Sequence, residues 1–127
     1  MKQRIQTSKA PNALGPYSQG IITDGLVFFA GQGPMDPETN TLVTGDVRVQ
    51  TERTMENIAA LLAEAGLDFS DVVKTTCYLA DMDDFKAFNE VYGSFLVEPY
   101  PARTTIQAAR LPLDILVEIE VIARKRG

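Results

Sequence analysis

An α+β sandwich, in which one mixed β-sheet carries two helices on one face, is the fold this 127-residue chain predicts. Three observations predict it. Two segments place their apolar residues at helical spacing, and several short runs alternate or are rich in β-branched residues. The segments follow the order hairpin, helix, strand, helix, strand, strand, and strands alternating with helices call for crossover connections on one sheet. Right-handed crossovers then set both helices on the same face. No linker, low-complexity stretch or composition break divides the chain, so residues 1–127 are expected to form a single domain.

The hairpin comes first. Ser18–Ile22 and Leu26–Ala30 are short apolar runs around Thr23-Asp24-Gly25, and Asp-Gly is a strong hairpin signal. Gly31-Gln32-Gly33-Pro34 then interrupts the second strand, and two glycines so close predict a bulge or a close backbone approach. Residues 36–45 read as a loop. The first helix is predicted over Val47–Ala65, with Asp46 as N-cap and Gly66 at the position after the last turn. Thr51, Met55, Ile58, Leu62 and Ala65 make its apolar stripe, widened by Leu61.

Val72–Leu79 is rich in β-branched residues and reads as a strand, with Val73, Thr75, Cys77 and Leu79 on one face. A second helix is predicted over Met82–Leu96. Asp81 caps it, and Asp84 falls where a capping-box partner belongs. Phe85, Phe88, Tyr92 and Phe95 form an aromatic stripe that suits a core face better than a cofactor box. Pro99 and Pro101 end the helix. Arg103–Ala108 and Ile115–Ala123 are the last strands, joined through a turn at Leu111-Pro112-Leu113-Asp114. The result is a ferredoxin-like sandwich.

Composition removes whole classes of chemistry. The chain has no histidine, no tryptophan and one cysteine. Serine–histidine and cysteine–histidine nucleophile pairs, cysteine zinc clusters and intramolecular disulfides are excluded. A net charge of −5 disfavours phosphate backbones. The basic run Arg124-Lys125-Arg126 reads as a solvated tail. No apolar run reaches the roughly 20 residues of a membrane helix. The N-terminus lacks the apolar stretch of a signal peptide. A cytoplasmic protein with reduced Cys77, a buried small hydrophobe, is expected.

The last two strands carry polar residues that a sealed core would not accept. Val117, Ile119, Val121 and Ala123, on the face that should meet the helices, alternate with Leu116, Glu118, Glu120 and Ile122 on the other face. In the strand before, Arg103, Thr105 and Gln107 alternate with Thr104, Ile106 and Ala108. A sheet face mixing charges with aliphatics is either half exposed or covered by self-association in a closed oligomer. Arg103, on a rigid strand after Pro101, is either a fork for a planar carboxylate or a salt-bridge partner of Glu118 or Glu120.

Four segments resemble the YjgF/RidA family of enamine/imine deaminases. They are Ala10-Pro11 with Gly15-Pro16-Tyr17-Ser18-Gln19-Gly20; Ala30-Gly31-Gln32-Gly33-Pro34; Val73-Lys74-Thr75-Thr76 with Asp84-Phe85 and Asn89; and Pro101-Ala102-Arg103-Thr104-Thr105 through Ala109-Arg110-Leu111-Pro112 to Glu118-Ile119-Glu120. The resemblance implies a chorismate-mutase-like fold and a homotrimer with its sheets facing inward and ligand clefts between subunits. It implies hydrolysis of 2-imino acids, such as 2-iminopropanoate and 2-iminobutanoate, to 2-keto acids and ammonia, with no cofactor or metal. Carried over to this chain, Arg103 would hold the substrate carboxylate, Glu118 would activate water and Tyr17 would hydrogen-bond the imine or the water. Gly31 and Thr105 would offer backbone groups, and Asn89 would line the pocket. Any upward shift of the Glu118 pKa would be limited by Arg103. Two positions depart from the family pattern: Thr105 stands where cysteine is usual in the best-studied members, and Ala30 where many have serine. Rival readings are a non-catalytic trimer that binds keto acids or amino acids, a ribonuclease or translation inhibitor, and a chaperone-like holdase. The acidic charge and the lack of a basic–aromatic patch argue against nucleic acid.

Overall fold

The computed structural model describes residues 1–126. Its strands are β1 (Gln3–Ile5), β2 (Gly20–Thr23), β3 (Leu26–Phe29), β4 (Met35–Asp36), β5 (Thr41–Leu42), β6 (Val72–Leu79), β7 (Ala102–Gln107) and β8 (Val117–Arg124). Helix α1 spans Val47–Glu64 and α2 spans Phe85–Ser94. Six strands form one sheet in the order β1-β2-β3-β8-β6-β7, and β4 pairs with β5 in a small ribbon. Only β6 and β7, joined by the α2 crossover, run parallel; the other pairs of the large sheet are antiparallel. This is the α+β sandwich the sequence predicts.

Local chemistry accounts for the turns. Asp24 and Gly25 both have positive φ, 48° and 80°, which a two-residue hairpin loop needs to match strand twist. The Asp46 side chain accepts a hydrogen bond from the Val49 amide, and Gly66, with φ of 75°, lets the chain leave α1. Beyond β3, Phe28 faces Ile122 while Gln32 faces Ile119, so three residues on one strand oppose two on the other. That is the predicted bulge.

The core lies between the helices and one face of the sheet. Val27, Leu79, Val117 and Ile119 of the sheet meet Met55, Ile58, Leu61, Leu62 and Phe88 of the helices, all fully or almost fully buried. The opposite face is open, and there Leu26, Phe28 and Ile106 remain exposed.

Several sequence expectations need correction. A register shift between Val72 and Lys74 buries Val72 and turns Val73 outward, because a bulge inverts the alternation on its near side. The N-terminal residues form β1 through backbone pairing with β2, which their polar side chains conceal. The loop at 36–45 includes most of the β4–β5 ribbon: Asp36 and both residues of β5. The second helix begins as a 3-10 turn over Met82–Asp84. Asp81 accepts from the Asp83 amide, and Asp84 makes no side-chain cap bond, so the capping box is not formed. The terminal basic run is not simply solvated: the Arg126 guanidinium forms a fork on the Asp71 carboxylate, at 3.0 and 2.7 Å.

Candidate active site

The open face of β8 presents Glu118. Its neighbours Val117 and Ile119 point into the core, so alternation turns Glu118 the other way. The carboxylate lines a cavity of about 210 Å³ with Tyr17, Gln19, Gly31, Met35 and Ile115. Gly31 lies so close that a Cβ there would sit 2.7 Å from Glu118 Oε2, a separation only glycine permits. Burial, and secondarily the like charge of Glu120, raises the Glu118 pKa above the ordinary 4.5. Tyr17 is exposed, and the Leu14 amide donates to its Oη at 3.4 Å. Gln19 is buried and ties down the segment below it, accepting from the Thr7 amide at 2.8 Å and donating to the Pro11 carbonyl at 2.7 Å.

The far wall of the cavity is strained. In the 3-10 turn Pro112–Asp114, Leu113 and Asp114 have φ of 58° and 53°, a left-handed conformation uncommon without glycine. Arg110 braces the turn, donating to the Asp114 carboxylate at 2.8 and 3.1 Å.

Arg103 belongs to a different place. It lies on β7 opposite Thr75, which is buried beneath the helices. Its guanidinium rests 5.1 Å from the Tyr92 ring centroid, 5.4 Å from Phe85 and 6.0 Å from Phe88. Nη1 donates to Asn89 Oδ1 at 2.6 Å. An aromatic cradle with one amide acceptor holds the fork in position and leaves most of its donors free. Thr105 follows on the same side of β7, opposite Cys77. Its Oγ1 is buried with no hydrogen-bond partner among the described residues. Burial raises the Cys77 thiol to about 11, which keeps it protonated and unreactive.

Glu118 and Arg103 therefore do not meet within one chain. Glu118 pairs with Tyr78, Tyr78 with Ile106, and Arg103 lies three residues further along β7. Two strand spacings and three residue rises separate the two backbones by about 14 Å, and the side chains leave opposite faces of the sheet. Of the two readings of Arg103, the salt bridge to Glu118 or Glu120 is not formed among the described residues; Tyr78 Oη instead donates to Glu120 at 3.1 Å. Nor does Arg103 offset the rise in the Glu118 pKa, as the sequence reading expected, because it faces the other layer. The structure gathers Glu118, Tyr17 and Gly31 in one place and Arg103, Asn89 and Thr105 in another.

Among known proteins, the profile of the endoribonuclease L-PSP family matches residues 7–125. The chain belongs to that family, also called YjgF/RidA. A RutC family protein of Pyrococcus abyssi is 51% identical over 98% of both chains. The chloroplastic Reactive Intermediate Deaminase A of Arabidopsis thaliana is 48% identical over 96% of this chain and 65% of its own length. A solved structure of a putative endoribonuclease from Thermotoga maritima is 44% identical, with a TM-score of 0.96 over 100% of both chains.

In this YjgF/RidA chain the sequence reading passed over two groups of residues. The aromatic stripe of α2 is a core face, as expected, yet Phe85, Phe88 and Tyr92 also form the platform beneath Arg103. Buried polar residues on α1 are the second group. Gln50, Thr54 and Asn57 are at most 5% exposed, and two of them bond to loops beside the Glu118 cavity. The signal was available: amides interrupting a helix stripe must find partners when buried. Among the described residues, no helix is long and apolar enough to cross a membrane.

Proposed function

We propose that the protein is a cytoplasmic homotrimer that hydrolyses 2-imino acids, such as 2-iminopropanoate and 2-iminobutanoate, to 2-keto acids and ammonia. The separation of Arg103 from Glu118 carries this reading. Each group is prepared for its task, yet one chain alone cannot apply both to one small substrate. An assembly in which β7 and α2 of one subunit meet the Glu118 cavity of the next completes the site. The open sheet face supports the same assembly, since it exposes Leu26, Phe28 and Ile106 around charged residues.

The chemistry follows from the groups. Arg103 grips the carboxylate of the imino acid through two parallel hydrogen bonds and fixes C2 in place. Glu118, ionised, takes a proton from water as the water oxygen bonds to C2 and the C=N electron pair moves to nitrogen. Nitrogen takes up the proton that Glu118 accepted, giving a carbinolamine. Glu118 then removes its hydroxyl proton and returns it to nitrogen, so the C–N bond breaks, ammonia leaves and the freed O–H electron pair forms the C=O of the keto acid. Tyr17, on the cavity wall, hydrogen-bonds the water or the nitrogen. An imine is electrophilic already, so this sequence requires neither metal nor organic cofactor.

The test supplies freshly generated 2-iminopropanoate and follows pyruvate release. Wild type should accelerate it, while Glu118→Gln and Arg103→Ala alone should not. Trimers co-assembled from equal amounts of the two variants should regain activity at about a quarter of their sites, because some sites then combine an intact glutamate with an intact arginine. No acceleration by wild type, with pyruvate still bound, would establish the carboxylate-binding reading instead. Full activity in Glu118→Gln would remove the glutamate from the mechanism.

A further inference from the structure

Asn57 lies on α1, away from the cavity, and is completely buried. Its Nδ2 donates to two backbone carbonyls of the segment that follows the bulge, Gly33 at 3.0 Å and Met35 at 2.8 Å. Arg53 Nη2 donates to Asn57 Oδ1 at 2.9 Å, which sets the orientation of the amide. The same segment is held from the other side by β8: the amides and carbonyls of Gln32 and Ile119 exchange hydrogen bonds at 2.8 and 2.9 Å. Gly31, the residue against Glu118, immediately precedes these two anchors. Two turns earlier on α1, Gln50 Oε1 accepts from the Leu116 amide at 2.8 Å, just before Glu118 in the chain.

A buried asparagine costs stability unless its polar atoms are matched, and this one is matched by the backbone of the segment that brings Gly31 against the carboxylate. Thr54, between Gln50 and Asn57, makes a useful contrast. It is equally buried, but its hydroxyl bonds only to the Gln50 carbonyl of its own helix.

We propose that Asn57 is a positioning residue for Glu118, clamping the Gly31–Met35 segment against the carboxylate so that this wall of the cavity stays in place and keeps the carboxylate partly shielded from water. The proposal rests on the reading of Glu118 as the water-activating base. The titratable groups facing Glu118 are Glu120 on its own strand, Tyr78 across on β6 and Tyr17 on the cavity wall. The Gly31–Met35 segment and the Pro112–Leu113 wall bring no charge of their own. Contact with that segment is thus the part of the environment of Glu118 that Asn57 controls.

The test compares Asn57→Ala, Asn57→Ser and the control Thr54→Val, all as full chains. Their folding is checked by thermal melting and circular dichroism. The Glu118 side-chain carboxyl is followed by carbon NMR across pH, and kcat and KM are measured on 2-iminopropanoate. In Asn57→Ala the carboxyl should titrate at lower pH than in wild type, toward the ordinary 4.5. The acid limb of kcat should move with it, and kcat should fall about 10-fold or more while KM changes little. Asn57→Ser, which keeps one donor, should shift in the same direction but less, and it carries the test if Asn57→Ala does not fold. Thr54→Val should lose stability alone. A folded Asn57 variant whose Glu118 titrates as in wild type would overturn the proposal. If wild type hydrolyses no imine, the deaminase reading fails, and the NMR titration still decides whether Asn57 governs Glu118.

Discussion

The Glu118 cavity and the Arg103 ledge solve opposite problems. In the proposed reaction Glu118 must keep a charge in a place that resists charge: the half-open cavity beside it is mostly apolar and is held from below by α1. The role proposed for Arg103 needs its charge presented outward, and it lies on an edge strand, rests on three aromatic rings and spends one donor on Asn89. The cavity is complete within one chain apart from a group to hold a substrate. The ledge can hold a carboxylate and has nothing to activate water. Enclosure tunes a proton acceptor, whereas exposure on a rigid support makes a binding fork. In this domain the two lie on different faces of the sheet.

Removing the acceptor should separate the two regions most sharply. Glu118→Gln should lower kcat by about 10²- to 10⁴-fold with KM nearly unchanged, as steady-state kinetics will show. It should also stabilise the fold at neutral pH. The raised pKa means that the unfolded chain releases the Glu118 proton more readily than the folded one, so stability falls as pH rises through 4.5 and beyond. Thermal melts should therefore show a gain for Glu118→Gln at pH 7 that disappears below about pH 4. An equal gain at every pH would contradict the assigned burial.

Gly31→Ala attacks the cavity without touching either charge. Its new Cβ would meet Glu118 Oε2 at 2.7 Å, so the carboxylate must move. Activity should drop about 10²-fold, while affinity for a keto-acid product measured by calorimetry should persist. Arg103→Lys tests the ledge in turn. A lysine keeps the charge but loses the planar fork and its aromatic stacking, so KM should rise about 10-fold with a smaller change in kcat. If Gly31→Ala raised KM and Arg103→Lys lowered kcat instead, the division of labour would be wrong. The smallest effect should come from Tyr92→Phe. It removes the 2.8 Å bond between Tyr92 Oη and Thr75 Oγ1 but keeps the ring beneath Arg103. Denaturant melts should show a loss of about 1 kcal/mol, and KM should stay within twofold.

How legible each part was follows from how local its cause is. The Asp24-Gly25 hairpin, the limits of α1 and the bulge after β3 rest on φ values and caps set by neighbouring residues, so residue types alone announce them. Strand β1 depends on a partner 15 to 19 residues away, and its own side chains carry no pattern. The Val72–Lys74 bulge likewise arises from pairing with β8, and it reversed the facing assigned to Val73. At the candidate site, the six expected residues were named from a family resemblance, and the structure divides them three and three. Alternation placed Glu118 on the open face correctly. It left Arg103 unassigned because an edge strand shows no clear burial pattern: most of β7 is exposed on both faces.

By itself, the sequence determined the α+β class, the limits of α1 and the exclusion of histidine-based chemistry, cysteine clusters and intramolecular disulfides, because periodicity, capping and residue inventory are properties of the chain alone. Only the tertiary structure decided that Glu118 and Arg103 leave opposite faces of the sheet, that Asn57 reaches across to Gly33 and Met35, and that Gly31 is pressed against a carboxylate. Each of these depends on strand order and register, which bring together residues whose separation along the chain holds no record of the contact.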